Sequence, residues 1–196
     1  MGTRNLTMVI NKEGETKIGQ YGQWDGYPSG AGCTVLDFLK NCDLEKLNEK
    51  VSGLTFLNEE EIEELDKTNW LETHPWLSRD LGANILGAVY DGKIERYKKM
   101  STEKENVGVV VDKVVNNADF VYDWLFCEWV YIIDLNKGVL EVYEGFVETP
   151  LPEGSRFYKP DLVEQKYYPN LVVTFELNNL PTEEEFLEHF KGGDDE

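Results

Sequence analysis

Residues Cys127 to Phe146 read CEWVYIIDLNKGVLEVYEGF, and this stretch decides the fold class. Leu125 to Leu135 is rich in β-branched and aromatic residues, Asn136-Lys137-Gly138 makes a turn, and Val139 to Phe146 returns with the same character. The pattern predicts an antiparallel hairpin. Its first strand is apolar on both faces, as a central strand covered on each side would be.

Working outward, a second hairpin is expected at the N-terminus. LTMVIN, Leu6 to Asn11, is a β-type run, Lys12 to Glu15 is a polar turn containing Gly14, and Thr16 to Tyr21 returns. Val107 to Val115 and Leu171 to Leu177 also read as extended. Helical spacing appears between the two hairpins: Thr34 to Lys40 with Thr34 as N-cap, Asp43 to Val51, Asn58 to Asp66, and a longer segment from Ser78 to Val89. A last helix follows Thr182, where Glu185 completes a capping box before Phe186, Leu187 and Phe190. Strands at both ends with helices between them predict an α+β fold rather than alternating βαβ units. The expected organisation is a single domain over 1–191 with a frayed acidic tail at 192–196.

Composition narrows the function classes. With 196 residues, 41% of them hydrophobic and 12% aromatic, the chain can bury a core without disulfide or metal staples. A formal charge of −19 argues against nucleic acid and against anionic membrane surfaces as partners, because both need clustered lysine and arginine. Cys33, Cys42 and Cys127 lack zinc-ligand spacing, and His74 and His189 are far apart. No metal or other cofactor is expected. Without an apolar signal region or a membrane-length apolar run, the expected location is the cytoplasm. P-loop, dinucleotide-fingerprint, nucleophile-elbow and EF-hand patterns are also missing from the sequence. The glutamate-rich run Glu59 to Glu64 reads as a solvated helix face.

The segment QYGQWDGYPSGAG, Gln20 to Gly32, stands apart from the rest of the chain. Glutamines that donate and accept, aromatic rings that stack, and glycines that let backbone approach a ligand are interleaved there. Such a mixture suits a sugar, a nucleobase or another planar polar molecule. Tight turns at Asp25-Gly26 and Pro28-Ser29-Gly30, with Trp24 and Tyr27 merely packed, would account for the same glycines. Two further groups bear on it. Ser78-Arg79-Asp80 can cap a helix, or Arg79 can present its guanidinium to Asp25 or an anion. Glu128 enters an apolar run and needs a partner if buried, for which Arg4 is a candidate, as it is for Asp25.

Taken together, GTRNLTMVI, QYGQWDGYPSGAG, LSRDLGANIL and LFCEWVYIIDL resemble a family of bacteriophage and bacterial proteins that begin with GTR and carry QYGQWDGYP. The resemblance implies a phage or bacterial origin and a single domain, and brings no assigned activity. The strand, turn and strand of LTMVIN, KEGE and TKIGQYGQWD are also similar to the opening of N-terminal nucleophile hydrolases. Those enzymes expose Cys, Ser or Thr as first residue, whereas removal of Met1 here leaves Gly2. Thr3 would require further trimming, and Cys33 is internal.

The resulting expectation is a protein that binds a small polar ligand or a host protein through Gln20 to Gly32. Trp24 and Tyr27 would stack, Gln20 and Gln23 would hydrogen bond, and Asp25 would pair a charge or act as base, with Arg4, Arg79 and Glu128 in support. One alternative is a hydrolase of amide or glycosidic bonds, with Asp25 and Glu128 as a carboxylate pair or Thr3 as nucleophile. Another is an acidic inhibitor of a basic host protein.

Overall fold

The computed structural model of the chain describes residues 2–97, 102–123, 125–160 and 166–191. The expected tail at 192–196 lies outside them. Both predicted hairpins form: β1 (Asn5–Ile10) with β2 (Thr16–Gly22), and β7 (Trp129–Asp134) with β8 (Val139–Val147). They join through a parallel pairing of β1 with β7, and β9 (Tyr168–Glu176) completes a five-stranded sheet ordered β2-β1-β7-β8-β9. That order puts β7 at the centre, flanked by β1 and β8. It explains why β1 is buried along its whole length and β7 from Val130 onward.

The period of two divides side chains between the two faces. Val9, Tyr131, Ile133, Leu140 and Val142 point to a core completed by helices, namely α1 (Cys33–Asn41), α2 (Leu44–Ser52), α5 (Ile85–Asp91) and α6 (Glu183–Glu188). Leu6, Met8, Val130, Ile132 and Tyr143 point the other way, where Val121 from a short helical turn (Ala118–Tyr122) and Phe157 cover them. The remaining elements lie outside the central sheet, though Ile94 and Val114 join its helix-side core. Strand β3 (Thr55–Phe56) pairs with β6 (Lys113–Val114), β4 (Lys93–Tyr97) pairs with β5 (Lys104–Gly108), and α3 (Glu59–Asp66) and α4 (Trp70–Thr73) lie between. The architecture is α+β.

Capping chemistry sets several of these boundaries. Asp43 accepts the Lys46 N–H at the start of α2, while Asn58 with Glu61 and Thr182 with Glu185 form reciprocal capping boxes on α3 and α6. Glu61 also forms an ion pair with Lys113, so one carboxylate of the acidic run ties α3 to β6.

Three expectations fail locally, each for a physical reason. Thr34 is not an N-cap, because a wide π-type turn over Pro28–Gly32 runs straight into α1 and the Thr34 hydroxyl instead donates to Gly30 O at 3.1 Å. The segment Ser78 to Val89 is not one helix. Gly82 adopts a left-handed φ of +50°, so Ser78 to Leu81 forms a turn and regular helix begins only at Ile85. Val107 to Val115 splits between β5 and β6, which belong to different two-stranded sheets.

On the face opposite the helices, Arg156 reaches into the sheet. Its Nη2 donates to Asp134 Oδ2 at 2.5 Å, and its Nε donates to Glu141 Oε2 at 2.6 Å. The Tyr143 hydroxyl donates to the same Glu141 oxygen at 2.9 Å, and Asp134 Oδ1 accepts the Lys137 N–H at 2.9 Å within the hairpin turn. Burial alone would lower the Arg156 pKa, but its bonds to Glu141 and Asp134 outweigh that and raise it. Burial and the adjacent Glu141 raise the Tyr143 phenol. Both stay protonated, and the buried charges are matched within the chain.

Candidate functional site

Strand β2 ends at Gly22, and the chain then crosses the edge of the helical layer before entering α1. Two sheet-side contacts hold this crossing in place. The Gly26 N–H donates to Thr3 O at 3.0 Å, and the buried Tyr131 hydroxyl donates to Gly26 O at 2.7 Å. Asp25, just before, has a φ of +52°, one of two non-glycine residues with positive φ among those described. Aspartate tolerates this region better than most residues, yet it remains a strained choice. The Asp25 carbonyl accepts the Ala31 N–H at 2.8 Å, and a Cβ on Gly30 would stand 2.3 Å from that oxygen. Glycine at position 30 is therefore required by the closure of this loop.

The loop forms one wall of a cavity of about 900 Å³. Trp24, Asp25 and Tyr27 line it from the loop, Cys33 and Asp37 from α1, Asp80 to Asn84 from the turn before α5, Leu86 and Gly87 from that helix, and Glu183 from α6. Asp25, Asn84 and Gly87 also line a second lobe of about 530 Å³, continued by Lys93, Glu95 and Lys104. Asp25 thus stands where the two lobes meet. Trp24 and Tyr27 are each 54% exposed, so neither is simply packed. The Trp24 indole Nε1 donates to Asp80 Oδ1 at 3.0 Å, which closes the wall across the groove.

The other residues singled out in the sequence are placed differently. Gln20 is buried and donates through Nε2 to Tyr21 O at 3.0 Å and Ser78 O at 3.3 Å. Gln23 accepts from the Tyr21 hydroxyl at 2.8 Å, and its N–H donates to Arg79 O at 3.0 Å. The Gln20 side chain and the Gln23 backbone tie the loop to the Ser78–Asp80 turn, and neither glutamine lines the groove. Arg79 contributes that carbonyl, while its exposed guanidinium has no ion-pair partner among the described residues. Ser78 accepts the Asp80 N–H at 3.2 Å inside the turn, where it caps no helix. Glu128 does not line the groove with Asp25. Its Oε1 accepts the backbone N–H of Arg4 at 3.0 Å, and the Arg4 guanidinium lies 4.6 Å from the Phe126 ring centroid. Thr3 is buried.

Residues not anticipated as site components include Asn5, Asp37 and Glu183. Asn5 is fully buried at the start of β1 and lines the groove from the sheet. Its Nδ2 donates to Trp24 O at 3.4 Å, and its Oδ1 has no hydrogen-bond partner. An amide at the head of a strand that is apolar except for Thr7 was the available signal. Glu183 was legible only as a helix-start residue, and Asp37 only as the polar face of α1. Cys33 also reaches the groove, where burial and then the nearby Glu183 push its thiol pKa up. Neither histidine lines the groove: His74 stacks near Trp76, with centroids 5.0 Å apart, and His189 lies 5.3 Å from Phe175. No described helix is long and apolar enough to cross a membrane.

No protein-family model, curated protein or solved structure matches the chain.

Proposed function

We propose that the protein binds a small polar ligand in the groove walled by Trp24, Asp25 and Tyr27. The observation that carries this reading is Asp25: a left-handed aspartate, held by a loop that admits only glycine at position 30, whose carboxylate has no partner among the described residues. Strain kept at a concave site bordered by exposed aromatic rings is characteristic of binding and catalytic loops. A volume near 900 Å³ suits a metabolite-sized molecule. Gln20 and Gln23 serve by holding the loop, and Trp24, Tyr27 and Asp25 make the contacts.

Native mass spectrometry of protein purified from its host, beside Trp24→Ala and Asp25→Asn, tests the proposal. A retained small molecule should be present in the parent protein and lost from both variants, with circular dichroism unchanged. If both variants fold and keep every adduct, the ligand is not in this groove. An adduct of protein mass that depends on Trp24 would instead assign the exposed rings to a macromolecular partner.

A further inference from the structure

Taking the groove as the ligand site, we infer that its ligand is a small organic cation bearing ammonium or guanidinium groups. The 900 Å³ lobe presents the carboxylates of Asp25, Asp37, Asp80 and Glu183, and among the described residues no lysine or arginine lines it. Among the described residues none of the four is ion-paired. Asp80 accepts only the Trp24 indole N–H, and Asp37 accepts only the Asn41 amide at 3.3 Å within its own helix. Glu183 lies against the Cys33 thiol, and the Asp25 carboxylate has no hydrogen-bond partner among the described residues.

Asn5 points the same way independently. Its carbonyl oxygen is a buried acceptor left without a donor at the sheet end of the same lobe. An unpaired buried acceptor is costly, and native proteins rarely leave one without a role. Acceptors on several walls call for a ligand that is predominantly a donor, and ammonium and guanidinium groups offer donors without acceptors. The exposed faces of Trp24 and Tyr27 suit such a group through their quadrupoles and suit an aliphatic stem by contact. A single metal ion fits less well, because no three carboxylate, thiol or imidazole groups among the described residues converge closely enough to hold one. The carboxylates are spread as an extended cation would need. In the second lobe Asp25, Asp91 and Glu95 are joined by Lys93 and Lys104, with Lys104 bonded to Glu95 at 2.6 Å, so the negative charge there is partly matched and the first lobe favours a cation more strongly.

Isothermal titration calorimetry with agmatine and putrescine, against neutral 1,4-butanediol, tests the charge requirement. Agmatine and putrescine separate guanidinium from ammonium preference. Both cations should bind the parent protein and butanediol should not, with affinity falling on added salt. In Asp37→Asn/Glu183→Gln, whose altered side chains are exposed and should leave folding intact, binding should weaken about tenfold. Glu59→Gln/Glu60→Gln on α3 should change nothing, which separates the groove from general attraction to a chain of charge −19.

Equal weakening in the two double variants would overturn the inference. So would calcium competing for the groove with higher affinity than either amine. Failure of both amines, while a neutral or anionic adduct remains Trp24-dependent in native mass spectra, would refute the cation and leave the groove as a ligand site. Failure of both amines with no adduct at all would remove both readings.

Discussion

The two faces of the central sheet treat negative charge in opposite ways. Behind the sheet, Asp134 and Glu141 are buried and share Arg156, with Tyr143 and the Lys137 N–H taking up further lone pairs. In front, Asp25, Asp37, Asp80 and Glu183 surround a groove to which the described residues contribute no lysine or arginine. A carboxylate group matched within the chain belongs to the fold. One left open at a concave surface is available to a partner, and this difference, rather than the number of acidic residues, separates the two regions.

The buried charge cluster depends most on Arg156. Arg156→Met should destabilise the protein by about 3–5 kcal/mol in urea unfolding, because Asp134 and Glu141 would remain buried without their partner. Ligand binding in the groove should survive in the fraction that stays folded. A loss below about 1 kcal/mol would mean that the network behaves like an exposed ion pair.

Gly30→Ala comes next, since the added methyl would meet the Asp25 carbonyl at 2.3 Å and force the loop to shift. A cost of about 1–3 kcal/mol is expected, together with lost binding. Asp25→Gly sharpens the contrast from the other side. Relief of the left-handed φ should stabilise the fold by about 0.5–1 kcal/mol, while binding disappears. Destabilisation by this variant would show that Asp25 serves the loop and not a ligand.

Smaller effects are expected at Asp80 and at the thiols. Asp80→Ala removes the acceptor of the Trp24 indole at an exposed site, and thermal unfolding should register less than about 1 kcal/mol. Cys33 on the groove and Cys127 behind the sheet both have thiol pKa values raised first by burial. Each therefore stays protonated as pH rises through the ordinary thiol range, and alkylation should be slow there. Peptide mapping after iodoacetamide should find Cys33 modified well before Cys127, which is almost fully enclosed. The reverse order would mean that the rear face opens more readily than the groove.

The parts of the fold readable in the sequence are those governed by short-range rules. The β-branched and aromatic runs of β7 and β8, the turn at Asn136 to Gly138 and the Thr182–Glu185 capping box all operate within a few residues, and all appear in the structure. The Ser78 to Val89 segment misled because its apolar spacing is helical, whereas the left-handed backbone at Gly82 depends on how the turn docks beside Gly22. The site was half legible. Trp24, Asp25 and Tyr27 announced themselves by composition, but the same composition drew in Gln20 and Gln23, which proved to hold the loop.

Readable in the chain alone were the strands of the two hairpins and β9, the starts of α2, α3 and α6, the α+β class and the unusual character of Gln20 to Gly32. These follow from hydrophobic period, turn residues and caps, whose energetics involve neighbours along the chain. Only the tertiary structure decided that β1 lies parallel to β7, that Arg156 crosses to Asp134 and Glu141, and that Asn5, Asp37, Asp80 and Glu183 meet around Asp25. Whether a carboxylate is matched or open depends on groups brought from distant parts of the chain, so no local pattern could distinguish Asp134 from Asp25.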